Sequence, residues 1–224
     1  MNWTAECAVI IPCLNEAANI QSLVVQVQKR LPSIIIIDDG SVDGTGKLAA
    51  AAGAEVLRHE QPCGKGAALN AGWQKARKLG FSWALAMDGD AQHAPEDIPV
   101  FLTAAEKEGA ALVVGNRMVN PAGMPWLRRR VNRWMSRRLS QIAGCPLPDT
   151  QCGFRLMNLE AWAGLTIQSS HFEIESELLL AFAAAGHKIV FVPIQVIYQN
   201  EESKIRPLQD TWRWFRWLMR QRRY

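Results

Sequence analysis

The sequence predicts an α/β fold: a mostly parallel β-sheet with helices on both faces, followed by an amphipathic helix at the C-terminal end. Three observations carry that expectation. Short apolar runs alternate with segments of helical period through about residue 117. Most of those runs are apolar at every position, as strands covered on both faces must be. Four of them end in polar residues: Asn15 and Glu16, then Asp38 and Asp39, then Asp88 and Asp90, then Asn116 and Arg117. Open sheets of this kind bind ligands beyond the carboxyl ends of their strands. The polar ends are therefore expected to converge on one functional edge.

Each element has its own signal. CAVIIP is a short buried strand. Asn15 stands where it can cap the next helix, in which Ile20, Leu23, Val24, Val27 and Leu31 recur at helical spacing. SIIIID is the second strand, and an alanine-rich helix runs from about Asp43 to Ala52. AEVLRH is the third strand. KGAALNAGWQKARKLG is a helix with small residues on its inner side. FSWALAMD is the fourth strand. PEDIPVFLTAAEKEG is a helix with Pro95 in its first turn, and AALVVGNR is the fifth strand. After a Pro/Gly loop, a helix spans about Trp126 to Ala143. DTQCGFRLM is a strand or a turn. FEIESELLLAFAAAG is a helix closed by Gly186. HKIVFVPIQVIY is a strand, and Asp210 is placed to cap the last helix. The expected organisation is one domain over residues 1–207 and a basic Trp/Arg-rich tail over 208–224.

Composition narrows the class. With 49% apolar and 21% charged residues, the 224-residue chain can bury a sizeable core. Its five cysteines are odd in number and contain no C-x-x-C pair, which argues against a disulfide framework and against zinc, and fits a reducing compartment. The opening MNWTAECAVIIPCLNE has no basic region before its short apolar run and reads as a first strand rather than a signal peptide. No run approaches the roughly 18 apolar residues that span a bilayer. A net charge of +4 is mild, but six arginines lie between Arg128 and Arg138 and five between Arg213 and Arg223. The wider segments 126–143 and 210–224, which contain these arginines, hold five of the nine tryptophans.

Several stretches can carry chemistry. In MDGDAQH, Asp88, Asp90 and Gln92 alternate, so in an extended segment their oxygens share a side. Hard cations such as Mg2+ or Mn2+ take such ligands together with substrate phosphates; a polar turn is the plainer reading. Asp38 and Asp39 close the second strand as a solvated turn or as acceptors for a base or ribose. The loop before GKGAALNAG lets backbone amides approach a phosphate, with Lys65 adding charge, although it is neither a P-loop nor G-x-G-x-x-G. In WLRRRVNRWMSRRLSQIA, Arg129, Arg133 and Arg137 stack with no interleaved acids, opposite Leu127, Val131, Trp134, Met135 and Ile142. Something anionic is expected against that stripe. DTWRWFRWLMRQRRY sets Arg213, Arg216 and Arg220 opposite Trp214, Phe215 and Leu218. It reads either as a helix lying at a membrane interface or as tryptophans docked on the domain's own core. Glu173 and Glu175 stand at a helix start, as macrodipole partners or as a general base.

Taken together, VIIPCLNEAANI, IIIIDDGSVDGT, GKGAALNAG, MDGDAQH, VVGNR, DTQCGFRLM, FEIESELLLAF, HKIVFVPIQVIY and ESKIRP resemble the family-2 glycosyltransferases of the GT-A fold, especially the polyprenyl-phosphate sugar synthases such as the dolichyl-phosphate mannose and glucose synthases. The resemblance covers Cys7 to about Pro207. It implies a Rossmann-like GT-A catalytic domain over 1–207. It implies that Pro12, Asn15, Glu16 and Asp39 hold the nucleoside, with Asp38 and Lys65 beside them. Asp88 matches a ribose- or metal-side aspartate, while Asp90 and Gln92 match metal ligands for Mg2+ or Mn2+. Arg117 and Arg129 match arginines that meet acceptor and donor phosphates, Arg133 stands where relatives carry a small hydroxyl residue, and Lys204 matches a residue that closes over the diphosphate. Many relatives carry transmembrane helices after this domain; here the Trp/Arg segments 126–143 and 210–224 would serve as peripheral contacts at the inner face of a membrane.

The implied reaction is inverting sugar transfer from a UDP- or GDP-sugar to a lipid-linked acceptor, a polyprenyl phosphate. A hydroxyl acceptor on a lipid or polysaccharide would need Glu173 or Glu175 as base. A nucleotidyltransferase would need a lysine-rich glycine loop after the first strand, where PCLNEA stands instead. A membrane-surface or nucleic-acid binding module would leave the convergent acids repelling its own polyanion, so no nucleic-acid partner is expected.

Overall fold

The computed structural model describes residues 1–121, 123–195, 197 and 207–220, the last segment with side chains from 212 onward. Seven strands form one sheet: β1 (Cys7–Cys13), β2 (Ile34–Asp38), β3 (Glu55–Arg58), β4 (Trp83–Ala86), β5 (Leu112–Asn116), β6 (Arg155–Asn158) and β7 (Ile189–Pro193). Their order is β3-β2-β1-β4-β6-β5-β7, with β6 antiparallel to both neighbours and every other pairing parallel. The end of the stretch DTQCGFRLM thus supplies the one antiparallel strand among the described residues.

Burial follows strand position. Ile34 to Asp38 are buried throughout, and β1 is buried at every position except Pro12. Each fully buried isoleucine or valine there contributes about 1.5–3 kcal/mol. The outermost strand β3 carries Glu55 and Arg58 on exposed positions, which protects that edge from pairing with another chain.

The helices are α1 (Trp3–Glu6), α2 (Ile20–Gln28), α3 (Thr45–Ala51), α4 (Lys65–Lys78), α5 (Ile98–Glu108), α6 (Trp126–Ala143), α7 (Leu159–Ala163), α8 (Ile174–Ala184) and α9 (Pro207–Arg220). The short α1 and α7 have no periodic signature, because four or five residues do not complete two turns. A 3-10 turn over Pro95–Asp97 leads into α5. Gly186 (φ 73°) follows α8 in the left-handed region, and the amides of Gly186 and His187 donate to the carbonyls of Ala183 and Phe182.

Three expectations need correction. Asn15 does not cap α2, which begins at Ile20 after the amides of Asn19 and Ile20 have both turned onto the Glu16 carbonyl. Asn15 instead adopts φ 53°, donates its amide to the Ser41 hydroxyl and accepts from the Val42 amide, tying the loops after β1 and β2 together. The last helix starts at Pro207, so Asp210 lies inside it rather than at its cap. The inner face of α6 is also not the expected one. Asn132, Met135, Ser136 and Leu139 are buried, while Leu127, Val131, Trp134 and Ile142 are exposed. The helix docks through Met135 and Leu139 together with polar bonds from Asn132 and Ser136, which hydrophobic periodicity does not register.

Helix α4 lies close on the sheet because its inner residues are small. A Cβ on Gly72 would stand 2.4 Å from Ile10 Cγ2 and 3.1 Å from Ile37 Cδ1. Gly72→Val is expected to cost about 1–3 kcal/mol through overpacking, read as a lower urea midpoint with an unchanged slope.

Candidate functional site

The parallel strands β1 and β4 lie side by side, but the chain leaves them in opposite directions across the sheet. The crevice beyond their carboxyl ends is the topological switch point. Loops from β1, β2, β3 and β4 meet there, together with the start of α4 and the lead into α8.

The β2 end builds the floor. Asp38 has no exposed surface; its oxygens accept from the Ser41 amide at 2.9 Å and from the Arg58 guanidinium at 2.8 Å. Both oxygens are engaged within the turn, where they fix its shape. Asp39 is turned toward the glycine loop. Its carboxylate accepts from His59 Nδ1 at 2.7 Å and from the amides of Cys63 and Gly64, each at 2.9 Å. Glu16, nearly buried, donates its amide to the Thr45 hydroxyl. Pro12 sits in β1 opposite Ile37.

The β4 end carries the acids. The segment is not extended as its alternating pattern suggested: Ala91 has φ 57° and the Gln92 amide donates back to Asp90 Oδ1 at 3.1 Å. Asp88, Asp90 and Gln92 are therefore grouped by a tight turn rather than by strand alternation. Gly89 is required by close approach, since a Cβ there would lie 2.7 Å from Cys13 Sγ. His93, for which the sequence suggested no task, is buried, stacks on Phe154 at 5.1 Å and accepts the Asp88 amide on Nδ1. Burial holds its pKa below the ordinary value, which keeps it neutral and able to accept.

Lys65 links this turn to α8. Its ammonium contacts Asp88 Oδ1 at 2.5 Å and Glu175 Oε1 at 2.7 Å and lies over the Phe172 ring. Burial would lower the lysine's pKa, but the two carboxylates outweigh it and raise it. Burial works to raise the Asp88 carboxyl, yet Lys65 holds it down at about 2. Asp90 moves the other way: burial, then the Asp88 charge, raises it. Gly153 backs onto the cluster, where a Cβ would stand 2.7 Å from Asp88 Oδ2.

Arg117 is positioned differently from expectation. Its Nε and Nη2 donate to both oxygens of Asp149 at 2.8 Å, and its amide donates to the same carboxylate. Asn132 and the Gln151 amide complete the shell. Arg129 is half-buried in the first turn of α6 and Arg133 is exposed one turn later. Glu173 is half-buried and takes the N-cap position of α8. Lys204 lies outside the described residues. Asp149, Asn132 and Ser136 were not found from sequence, since an isolated Asp or Asn in a loop or helix has no spacing signature. The only available hint was the polar pair Asn132 and Ser136, four apart on one helix face.

Burial tends to raise the Asp149 carboxyl, but the Arg117 hydrogen bonds prevail and hold it below its usual range. A depressed folded-state pKa gives stability that is present above the unfolded value of about 3.9 and is lost as pH falls through the folded value. Asp149→Ala, which strands a buried guanidinium, is expected to lose about 3–5 kcal/mol at pH 7 in urea unfolding. The gap from the wild type should narrow below pH ~3.9.

Comparison with known proteins agrees with this architecture. The profile described as Glycosyl transferase family 2 matches residues 8–164. The polyprenol monophosphomannose synthase of Mycolicibacterium smegmatis is 32% identical over 206 residues, covering 85% of this chain and 77% of the relative. The UDP-N-acetylglucosamine–dolichyl-phosphate N-acetylglucosaminyltransferase of Methanococcus voltae is 31% identical over 212 residues, covering 84% of each. Among solved structures, glucosyl-3-phosphoglycerate synthase from Mycobacterium tuberculosis, in complex with Mn2+, UDP and glucosyl-3-phosphoglycerate, superposes with a TM-score of 0.70 at 23% identity, covering 96% of this chain and 78% of that one. That similarity speaks for the GT-A fold. With its profile match, these relatives and an acid-lined switch point, the chain belongs to glycosyl transferase family 2.

Proposed function

We propose that this glycosyltransferase moves a sugar, with inversion, from a UDP- or GDP-sugar to a membrane-associated polyprenyl phosphate, using Mg2+ or Mn2+. The observation that carries the reading is the acidic turn at the end of β4, set beside Asp39 and the glycine loop at the switch point. Relatives named for polyprenol and dolichyl phosphates and a structural neighbour holding UDP and Mn2+ support it.

The residues fit a hard divalent cation. Asp88 and Asp90 offer carboxylate oxygens and Gln92 an amide oxygen, and burial together with the neighbouring Asp88 charge raises the Asp90 carboxyl. When bound, the ion would neutralise charge on the departing diphosphate. Asp39 would orient the nucleoside through a rigid carboxylate. Lys65 would hold Asp88 ionised. Arg129 and Arg133 would meet the acceptor phosphate, and Lys204 would close over the diphosphate. Arg117, locked to Asp149, acts through its field and by fixing the β5 end.

Acceptor chemistry follows from the fate of Glu175. Its carboxylate is occupied by Lys65 rather than presented to a hydroxyl. A phosphate monoester has a second pKa of about 6 and reaches neutral pH largely ionised, so no base is needed. A hydroxyl acceptor is the second reading, with Glu173 as the remaining base.

The membrane contact rests on α6 and α9, with 208–224 as an appendage on the catalytic domain. Trp214, 3% exposed, is docked: its Nε1 donates to Ser176 on α8 and its ring lies 5.5 Å from Trp134. Trp212 and Trp134 remain 61% and 44% exposed, alongside Phe215 and the arginines Arg133 and Arg216. Exposed aromatics mixed with cations suit an anionic lipid surface. None of the described helices is long and apolar enough to cross a membrane.

Incubation with a panel of UDP- and GDP-sugars and a polyprenyl phosphate should yield a glycosyl-phospholipid by mass spectrometry; no product from any donor would sink the reading. Asp90→Ala should abolish turnover without lowering the melting temperature. Glu173→Gln should lose less than the ~10²-fold that removal of a general base costs, and a larger loss would favour a hydroxyl acceptor. Replacing Trp134, Trp212 and Phe215 together by Ala should release the protein from anionic vesicles in a sedimentation assay.

A further inference from the structure

We propose that Asp39, His59 and Cys63 form a binding site for a borderline-soft divalent cation of the Zn2+ class, distinct from the all-oxygen set of Asp88, Asp90 and Gln92. A carboxylate oxygen, an imidazole nitrogen and a thiol sulfur from these three residues lie within 4.8 Å of one another. That donor set matches zinc, which takes Cys, His and Asp together; with a single cysteine it needs no C-x-x-C pair, the pattern whose absence argued against zinc in the sequence. It does not suit Mg2+, which prefers oxygen alone.

The three residues come from two turns in direct contact. Asp39 follows β2, while His59 and Cys63 follow β3 within five positions of each other. A Cβ on Gly40 would stand 2.8 Å from the backbone of Gln61 and Pro62, so the two turns pack directly on each other. Asp39 already gathers the others: Oδ1 accepts from His59 Nδ1 and from the Cys63 amide, and Oδ2 from the Gly64 amide. Burial is graded from the carboxylate outward. Asp39 is buried, His59 is intermediate and Cys63 is exposed, which gives an ion a path from solvent.

Binding balances simply. Cys63 gives up its thiol proton, and the His59 proton that Nδ1 shares with Asp39 Oδ1 moves to Nε2, so that Nδ1 presents a lone pair to the ion. Uptake of the ion therefore releases a proton and weakens in acid. Three protein ligands leave a further position for water. The consequence rests on the proposed donor site: Asp39 is the residue assigned to the nucleoside, so an ion held there competes with the nucleotide. The glycosyltransferase would then be inhibited by zinc at the base pocket while depending on magnesium or manganese at the acidic turn.

Co2+ titration of the whole chain in excess Mg2+, without nucleotide, tests the site. We expect a near-ultraviolet thiolate-to-cobalt charge-transfer band that Zn2+ displaces. Cys63→Ser should lack the band, and His59→Ala should raise the Co2+ Kd by at least about tenfold, with circular dichroism showing both variants folded. A band that survives Cys63→Ser, or a Kd unchanged in His59→Ala, overturns the proposal. UDP and GDP binding is then measured with and without Zn2+. A nucleotide Kd raised by Zn2+ in the wild type but not in Cys63→Ser supports competition, and an unchanged Kd overturns it. A zinc-free protein that binds neither nucleotide would contradict the donor site alone, since the cobalt band is read without nucleotide.

Discussion

Asp149 has no exposed surface, and five hydrogen bonds converge on its carboxylate, from the Arg117 amide, Nε and Nη2, the Asn132 side chain and the Gln151 amide. Those donors come from the end of β5, the middle of α6 and the approach to β6. One buried carboxylate thus fixes three segments that are distant in sequence. A charge this deep persists only when paired and fully hydrogen-bonded, which makes the arrangement close to all-or-none. The docking of α6 depends on it, because that helix buries Asn132 and Ser136 where an ordinary amphipathic helix would bury leucine.

The acidic edge rests on a second linkage of the same kind. Lys65 stands at the first turn of α4 and reaches both Asp88 at the end of β4 and Glu175 in the first turn of α8. Arg155, also buried, donates to the carbonyls of Thr150, Cys152 and Glu175. The charges around the crevice are therefore held by a shared frame rather than by separate loops. Pre-set charges of this kind favour developing charge in a transition state without reorganising at the moment of reaction. His93 extends the frame from beneath, its neutral ring accepting the Asp88 amide while packed on Phe154.

The two Trp/Arg helices illustrate how one composition serves two ends. Trp214 and Trp217 are drawn into the hydrophobic core, Trp214 with its indole N–H satisfied by Ser176. Trp212 and Phe215, on the same helix, stay outside and stack on each other at 6.3 Å. Sequence period suggested Trp214, Phe215 and Leu218 as a single face, but the choice between core and solvent was made by where α6 and α8 leave room.

The sequence by itself determined the α/β class, the strand and helix succession, the mostly parallel sheet and the polar ends of its strands. Continuous β-branched runs can be stable only when covered on both faces, and that constraint is local enough to read. It also marked Asp39, Lys65, Asp88, Asp90 and Gln92 as residues of one edge. What only the tertiary structure decided was which of these charges meet. Asp38 was sealed into its turn, Arg117 was locked onto Asp149, Glu175 was taken by Lys65, and Asp39, His59 and Cys63 were gathered from two turns. Each of those outcomes is a contact between segments tens of residues apart. Such contacts depend on sheet order and helix docking, and no periodicity along the chain encodes them.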